Sequence, residues 1–435
     1  MLEFRVEWED APGVADPLLR ETWARLEFRL DGRPLTRYWS DGTRSLRDGV
    51  YGSVFPLAEW FANQWWFLLH EGPRHPFAAI TGVRRAPTSI DLRRWLARHN
   101  LLMCREGMAY PDLTIFRQDR RVALSWSADP TSATTPGRFI DEGMVVVDHA
   151  VAEAALDSFV TTVLDRVQGV ASESATELRE LWAAIRESTR GERSVCERLA
   201  MLGLDPYAED ADEDIISTIE TLSFPDAVVT DLLSATTPKA IGDDVAATTA
   251  LLDELHQCPA DPHETPRIRL QTRSTRPYEI GYARAASLRR HLDLKDEQPV
   301  PDLDRLLARA LGQRPVQVWQ TRDRANVEAA VKVNGSAAIA ATQRAESGRR
   351  FLLGRALHHW LFVTEGTAPR LLTRGQDWSQ AASRAFSAEL LAPARALAAR
   401  LGDGADWGER QEELAREFNV HPYVIAHQLT NHRLV

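Results

Sequence analysis

The sequence predicts a multi-domain α+β protein. It divides into an N-terminal α+β domain over residues 1–170, a helical connecting region over 171–258, and a further α+β domain over 275–435 that ends in a pair of helices. Three observations predict this. Strand-type alternation and helical periodicity mix through the first third, whereas residues 170–258 carry helical spacing alone. The proline-rich break Cys258-Pro259-Ala260-Asp261-Pro262-His263-Glu264-Thr265-Pro266 then separates that run from a last stretch where the two patterns mix again.

Composition sets the bounds. At 435 residues with 44% hydrophobic and 26% charged content, the chain can bury two or three cores and is neither disordered nor membrane-embedded. Met1-Leu2-Glu3-Phe4-Arg5-Val6-Glu7 alternates like a strand and does not resemble an export leader, so a cytoplasmic location is expected. Cys104, Cys196 and Cys258 are an odd number without Cys-x-x-Cys spacing, which fits a reducing compartment and excludes a thiolate zinc site. The net charge of −10 disfavours a nucleic-acid backbone as partner for the whole surface. No apolar run is long enough to cross a membrane.

Within the first domain, Phe4 to Trp8 and Leu26 to Leu30 alternate, and Asp31-Gly32 supplies a turn. Leu113 to Phe116 and Val122 to Trp126 predict a second hairpin, and Gly143 to Val147 a further strand. The run Phe55 to Glu71 holds three Trp and two Phe after Pro56. Without a basic residue to hold a phosphate, it is expected to be a buried helix and not a base-stacking platform. His75, His99 and His149 show no ligand or triad spacing. Ala150 to Val167 is helical, followed by helices over 175–187, 192–202, 215–222, 226–233 and 243–255. The acidic cluster Glu209 to Glu213 lacks the glycine and terminal Glu of a calcium loop and is expected to be solvated. His256, Cys258 and His263 lack a fourth ligand nearby.

In the last domain, a helix over Tyr278 to His291 and another that starts at Val300-Pro301-Asp302-Leu303 and runs to Leu311-Gly312 precede strands at Val316 to Trp319 and Ala337 to Ala341. A helix through Arg350 to Phe362 follows. At 100° per residue it puts Arg355 and His359 about 40° apart on one face, with Leu353, Leu357, Trp360 and Leu361 opposite, so both faces are packed. A further helix carries Phe386-Ser387-Ala388-Glu389-Leu390-Leu391-Ala392-Pro393, and the chain closes with Arg410 to Phe418 and His421 to Asn431 around Asn419.

Arg349-Arg350-Phe351 and the Phe386 to Pro393 block, in that order and spacing, resemble the ImmA/IrrE family of zinc metallopeptidases over residues 275–435. The resemblance implies a zincin-like domain with a His-Glu-x-x-His helix, whose histidines hold zinc while the Glu activates its water. Carried onto this chain, the first metal position falls on Arg355, the general base on Ala356, the second metal position on His359 and the third on Gln380. One ligand of three survives, so the motif is degenerate and no catalytic residue or resident metal is expected.

Three arrangements remain open for Arg355, His358, His359, Gln380 and Arg384. They are hydrogen-bonded filler in a closed former cleft, a repurposed pocket that holds an anion through Arg355 and Arg384, or residual zinc binding with other ligands. The terminal pair has helix-turn-helix rhythm with Asn419 at its turn, but its second helix offers only His421, His427, Gln428 and Asn431 to a groove. The spacing of His421, His427 and His432 suits no single helical face, so these are expected to be exposed. Arg267, Arg269, Arg273, Arg276, Arg284, Arg289 and Arg290 form the marked basic density. The expected function is an inactive pseudo-peptidase that recognises a protein partner or ligand in regulation, stress or phage response, as the resemblance implies. The alternatives are an active zinc peptidase with displaced ligands and a helix-turn-helix DNA-binding regulator.

Overall fold

A computed structural model describes residues 1–81, 89–104, 109–129, 137–208, 212–259, 266, 268, 274–321, 325–332, 337–362, 368–401 and 407–434. Helices and several small sheets make it a mixed α+β protein of two compact units, Met1–Thr221 and Leu222–Val435. The helical run over 171–258 is divided between them: Glu173–Gly191, Arg193–Leu202 and Glu213–Thr221 belong to the first unit, Asp226–Leu233 and Ile241–Gln257 to the second. Most of the break expected at 258–266 lies outside the described residues, as do His263, Arg267, Arg269, Arg273 and residues 209–211 of the acidic cluster.

The first unit begins with strands Leu2–Trp8 and Trp23–Leu30, paired antiparallel with Phe4 opposite Phe28 and Val6 opposite Leu26. Asp31 and Gly32 both take positive φ (47° and 81°), which turns the chain sharply into Arg33–Pro34. The alternation places Phe4 and Phe28 on one face, where they meet Phe61 and Phe159 at ring separations of 5.0 to 5.5 Å.

The predicted aromatic helix is two helices, Phe55–Asn63 and Trp65–His70, broken at Gln64. Its rings are core, as expected: Phe55, Phe61, Trp65, Trp66 and Phe67 are buried and Trp60 nearly so, with Trp65 edge-on to Trp182 at 4.9 Å. The second predicted hairpin is longer than expected, Asp112–Gln118 with Arg121–Ser127. Asp119 at φ 54° lets two residues make the turn where five were expected.

In the second unit a four-stranded sheet has the order Val316–Gln320, Ala338–Thr342, Val327–Lys332, Arg370–Thr373, the first two parallel and the rest antiparallel. The Ala338–Ala341 run is buried throughout, which is the environment an uninterrupted apolar strand needs. The helix Glu346–Phe362 is buried at every position from Leu352 to Phe362. Two glycines permit this. A Cβ on Gly354 would lie 2.4 Å from Ser387 Oγ of the helix Trp378–Leu391, and one on Gly281 would lie 2.4 Å from the Ala382 carbonyl of that helix.

Among the described residues no helix is long and apolar enough to cross a membrane.

Candidate functional site

The candidate residues sit where the helix Glu346–Phe362 is covered by the sheet on one side and the helix Trp378–Leu391 on the other. Arg355 projects from the first of these into the interior, 1% exposed. An unpaired guanidinium is costly there, and all three nitrogens of this one are engaged. Nη1 donates to Glu328 Oε2 at 2.7 Å, Nη2 to the Thr373 carbonyl at 2.9 Å and to Gln380 Oε1, and Nε to Ser383 Oγ at 3.3 Å.

Gln380 completes the knot. Its side-chain nitrogen donates to the Leu371 carbonyl at 2.7 Å, and its oxygen also accepts from the Thr373 amide at 2.9 Å. Asp377 caps this helix by accepting from the Gln380 amide, which fixes where Gln380 enters the core. Glu328 is the common acceptor for Arg344 and Arg355, with Arg374 at 3.6 Å. Two positions that the sequence assigned to one metal centre are thus in direct contact, joined through a cation.

The histidines are arranged differently. His358 and His359 are completely buried, with rings edge-to-face at 5.4 Å. Arg284, which can only donate, lies 2.8 Å from His358 Nε2, so that nitrogen carries the lone pair and the proton is on Nδ1. His358 Nδ1 and both nitrogens of His359 have no partner among the described residues. Burial holds both imidazoles well below their ordinary pKa, reinforced by Arg284 beside His358 and Arg370 beside His359.

Arg384 donates to the Gly375 carbonyl at 2.7 Å and to Gln376 Oε1 at 3.1 Å. Burial brings its pKa down to about 10. The donor set does not fit zinc. The only imidazole at an expected ligand position is surrounded by guanidinium charge, Arg355 has no lone pair to offer, and Ala356 has no group that takes a proton. Among the described residues no three His, Cys, Asp or Glu side chains converge as a metal site.

The terminal helices Trp407–Phe418 and Pro422–Asn431 meet at Asn419, whose φ of 49° is the left-handed turn its residue type suggested. Val424, Ile425 and Leu429 are core residues. Gln428 is buried and donates to Glu389 Oε2 and the Ala392 carbonyl, and Asn431 reaches Tyr282 Oη. His421 and His427 are exposed, as expected, but His432 is half-buried between Tyr282 and Glu389. Of the basic density, Arg289 is buried and donates to the carbonyls of Leu390, Lys295 and Gln298, so it is a structural clamp, while Arg276 and Arg290 are exposed.

Sequence reasoning missed Glu328 and Arg370, which lie on strands that were not foreseen, and with Arg370 its bidentate ion pair at 2.8 Å to Asp231 on the helix Asp226–Leu233. The available signal was a lone carboxylate inside the apolar run Val327-Glu328-Ala329-Ala330-Val331.

Compared with known proteins, the chain matches no family model and no curated protein.

Proposed function

We propose that the second unit is a peptidase-like domain without a working centre, related to the ImmA/IrrE peptidases, and that the chain acts in the cytoplasm by recognising a protein partner in regulation, stress or phage response. One observation carries this reading. Arg355, at the first metal position, is bound to Glu328, Gln380, Ser383 and the Thr373 carbonyl, so the first and third metal positions are bonded to each other. A helix so enclosed can still shape a binding surface, but it has neither a nucleophile source nor a general base. The three buried free cysteines accord with a reducing compartment. The terminal helices give little support to a DNA reader, because Gln428 is committed to the core and Asn431 to Tyr282.

The test is metal analysis and peptide hydrolysis on full-length protein purified without chelator. We expect no zinc above background and no hydrolysis. Near-stoichiometric zinc that disappears in His359→Ala, or hydrolysis unchanged by Ala356→Glu, would overturn the proposal. Duplex DNA binding that weakens steeply with salt would instead favour the regulator reading.

A further inference from the structure

A cleft of about 680 Å³ opens in the first unit, far in sequence from Arg355, His358, His359, Gln380 and Arg384. Its floor is the outer face of the first sheet, where the register sets Arg25 of one strand beside Tyr51 of the next. Its wall is the short strand Ser45–Arg47, which carries Leu46 and Arg47, continuing to Asp48, with Arg37 alongside. Gly49 brings wall and floor together: a Cβ there would stand 3.0 Å from Glu27 Cγ and 3.1 Å from Arg25 Cγ.

The three guanidiniums are not equivalent. Arg25 is committed to Glu7 and Glu27, and Arg37 uses Nε for Asp48 at 2.8 Å. The Nη groups of Arg37 and the whole guanidinium of Arg47 donate to no other described residue, and Arg47 lies over the Tyr51 ring at 5.8 Å from its centroid. Leu46 and Tyr51 are two of the few large hydrophobic side chains left exposed on the molecule. The guanidinium of Arg47 and the unused Nη groups of Arg37 suit an anion with several oxygens, and the partly exposed Tyr51 ring beside them suits a planar ring. The volume lies within the range of small-ligand sites and exceeds what a lone anion needs.

We propose that this cleft binds a small phosphorylated ligand carrying a planar ring, of the nucleotide class. Arg47 and Arg37 hold the phosphate, and Tyr51 stacks on the ring. Calorimetric titration of the full chain with adenosine monophosphate, inorganic phosphate, adenosine and a short oligothymidylate tests it. The expected result is monophosphate binding with Kd below about 1 mM and at least about tenfold tighter than phosphate or adenosine alone. Arg47→Ala and Tyr51→Ala should each weaken it about tenfold, while Tyr51→Phe retains it. Both side chains are partly exposed, so circular dichroism should show these variants folded. Phosphate binding as tightly as the monophosphate, no binding by either, a monophosphate affinity unchanged in folded Arg47→Ala, or an oligonucleotide binding tighter than the monophosphate would overturn the proposal.

Discussion

Each unit contains a buried knot of charge, and the two are resolved differently. In the first unit Glu71, fully buried, takes Arg98 at 2.7 and 2.8 Å and Arg74 at 3.2 Å. His99 sits 3.0 Å from it through Nε2 and 2.7 Å from the Ile115 carbonyl through Nδ1, with Trp95 stacked on its ring. Both ring nitrogens face an acceptor, so both bonds are made together only by the imidazolium. Burial opposes that charge and on balance lowers the His99 pKa, against the pull of Glu71.

In the second unit Arg355 is as thoroughly paired as Glu71, but the neighbouring imidazoles leave three nitrogens without described partners. Buried charge alone therefore does not mark a site. A completed network reads as architecture, and an incomplete one beside it is where a role beyond architecture is to be sought.

The largest effects should come from cutting either knot. Arg355→Ala takes the buried cation from Glu328 and Gln380, leaving Glu328 with Arg344 and Gln380 with its backbone bonds, and Glu71→Ala takes the carboxylate shared by Arg74 and Arg98. Each should cost about 3–5 kcal/mol in denaturant unfolding, with hydrogen exchange in each unit's strands showing which unit is weakened. A loss below about 1 kcal/mol for Arg355→Ala would mean that its partners are satisfied some other way.

A sharper contrast lies in the histidines. His99→Leu leaves the Ile115 carbonyl without the ring and should cost about 2–3 kcal/mol, whereas His359→Leu removes only nitrogens with no partner among the described residues and should fall within about 1 kcal/mol of neutral. Equal losses would erase the distinction and reveal a partner for His359.

The effect that is smallest at neutral pH is a slope that appears only on acidification. His358 and His359 have folded pKa values well below 6.5, so below that pH the unfolded chain takes up the protons and stability declines, by up to about 1.4 kcal/mol per pH unit for each. The contribution of Glu71, whose pKa is lowered to about 2, is present in full above 4.5 and is lost as pH falls toward 2. A His358→Leu/His359→Leu double variant should flatten the decline between pH 6.5 and 5, and an unchanged slope would place its origin in other groups.

Much of the scaffold was legible. Helical spacing located Asp226–Leu233 to the residue and Pro277–His291 within one, because period 3.6 over several turns is a strong local signal. The strands Val327–Lys332 and Arg370–Thr373 were not, since each is short and gains its apolar environment only from neighbours distant in sequence. The candidate positions Arg355 and Gln380 were legible as a pair through motif spacing, but Glu328, the acceptor that decides what Arg355 does, lies on one of those unforeseen strands. Arg384 was grouped with Arg355 as an anion holder, and the fold instead spends its donors on Gly375 and Gln376.

What the sequence by itself determined is what two side chains cannot do: Arg355 cannot give a metal a lone pair and Ala356 cannot take a proton, in any fold. Helix phase likewise put Arg355 and His359 on one face without help from the rest of the chain. Only the tertiary structure decided that Arg355 is locked between a strand and a facing helix while two histidines beside it keep nitrogens with no partner among the described residues. Hydrogen bonding depends on which groups distant in sequence are brought within about 3 Å, and no local pattern encodes that distance.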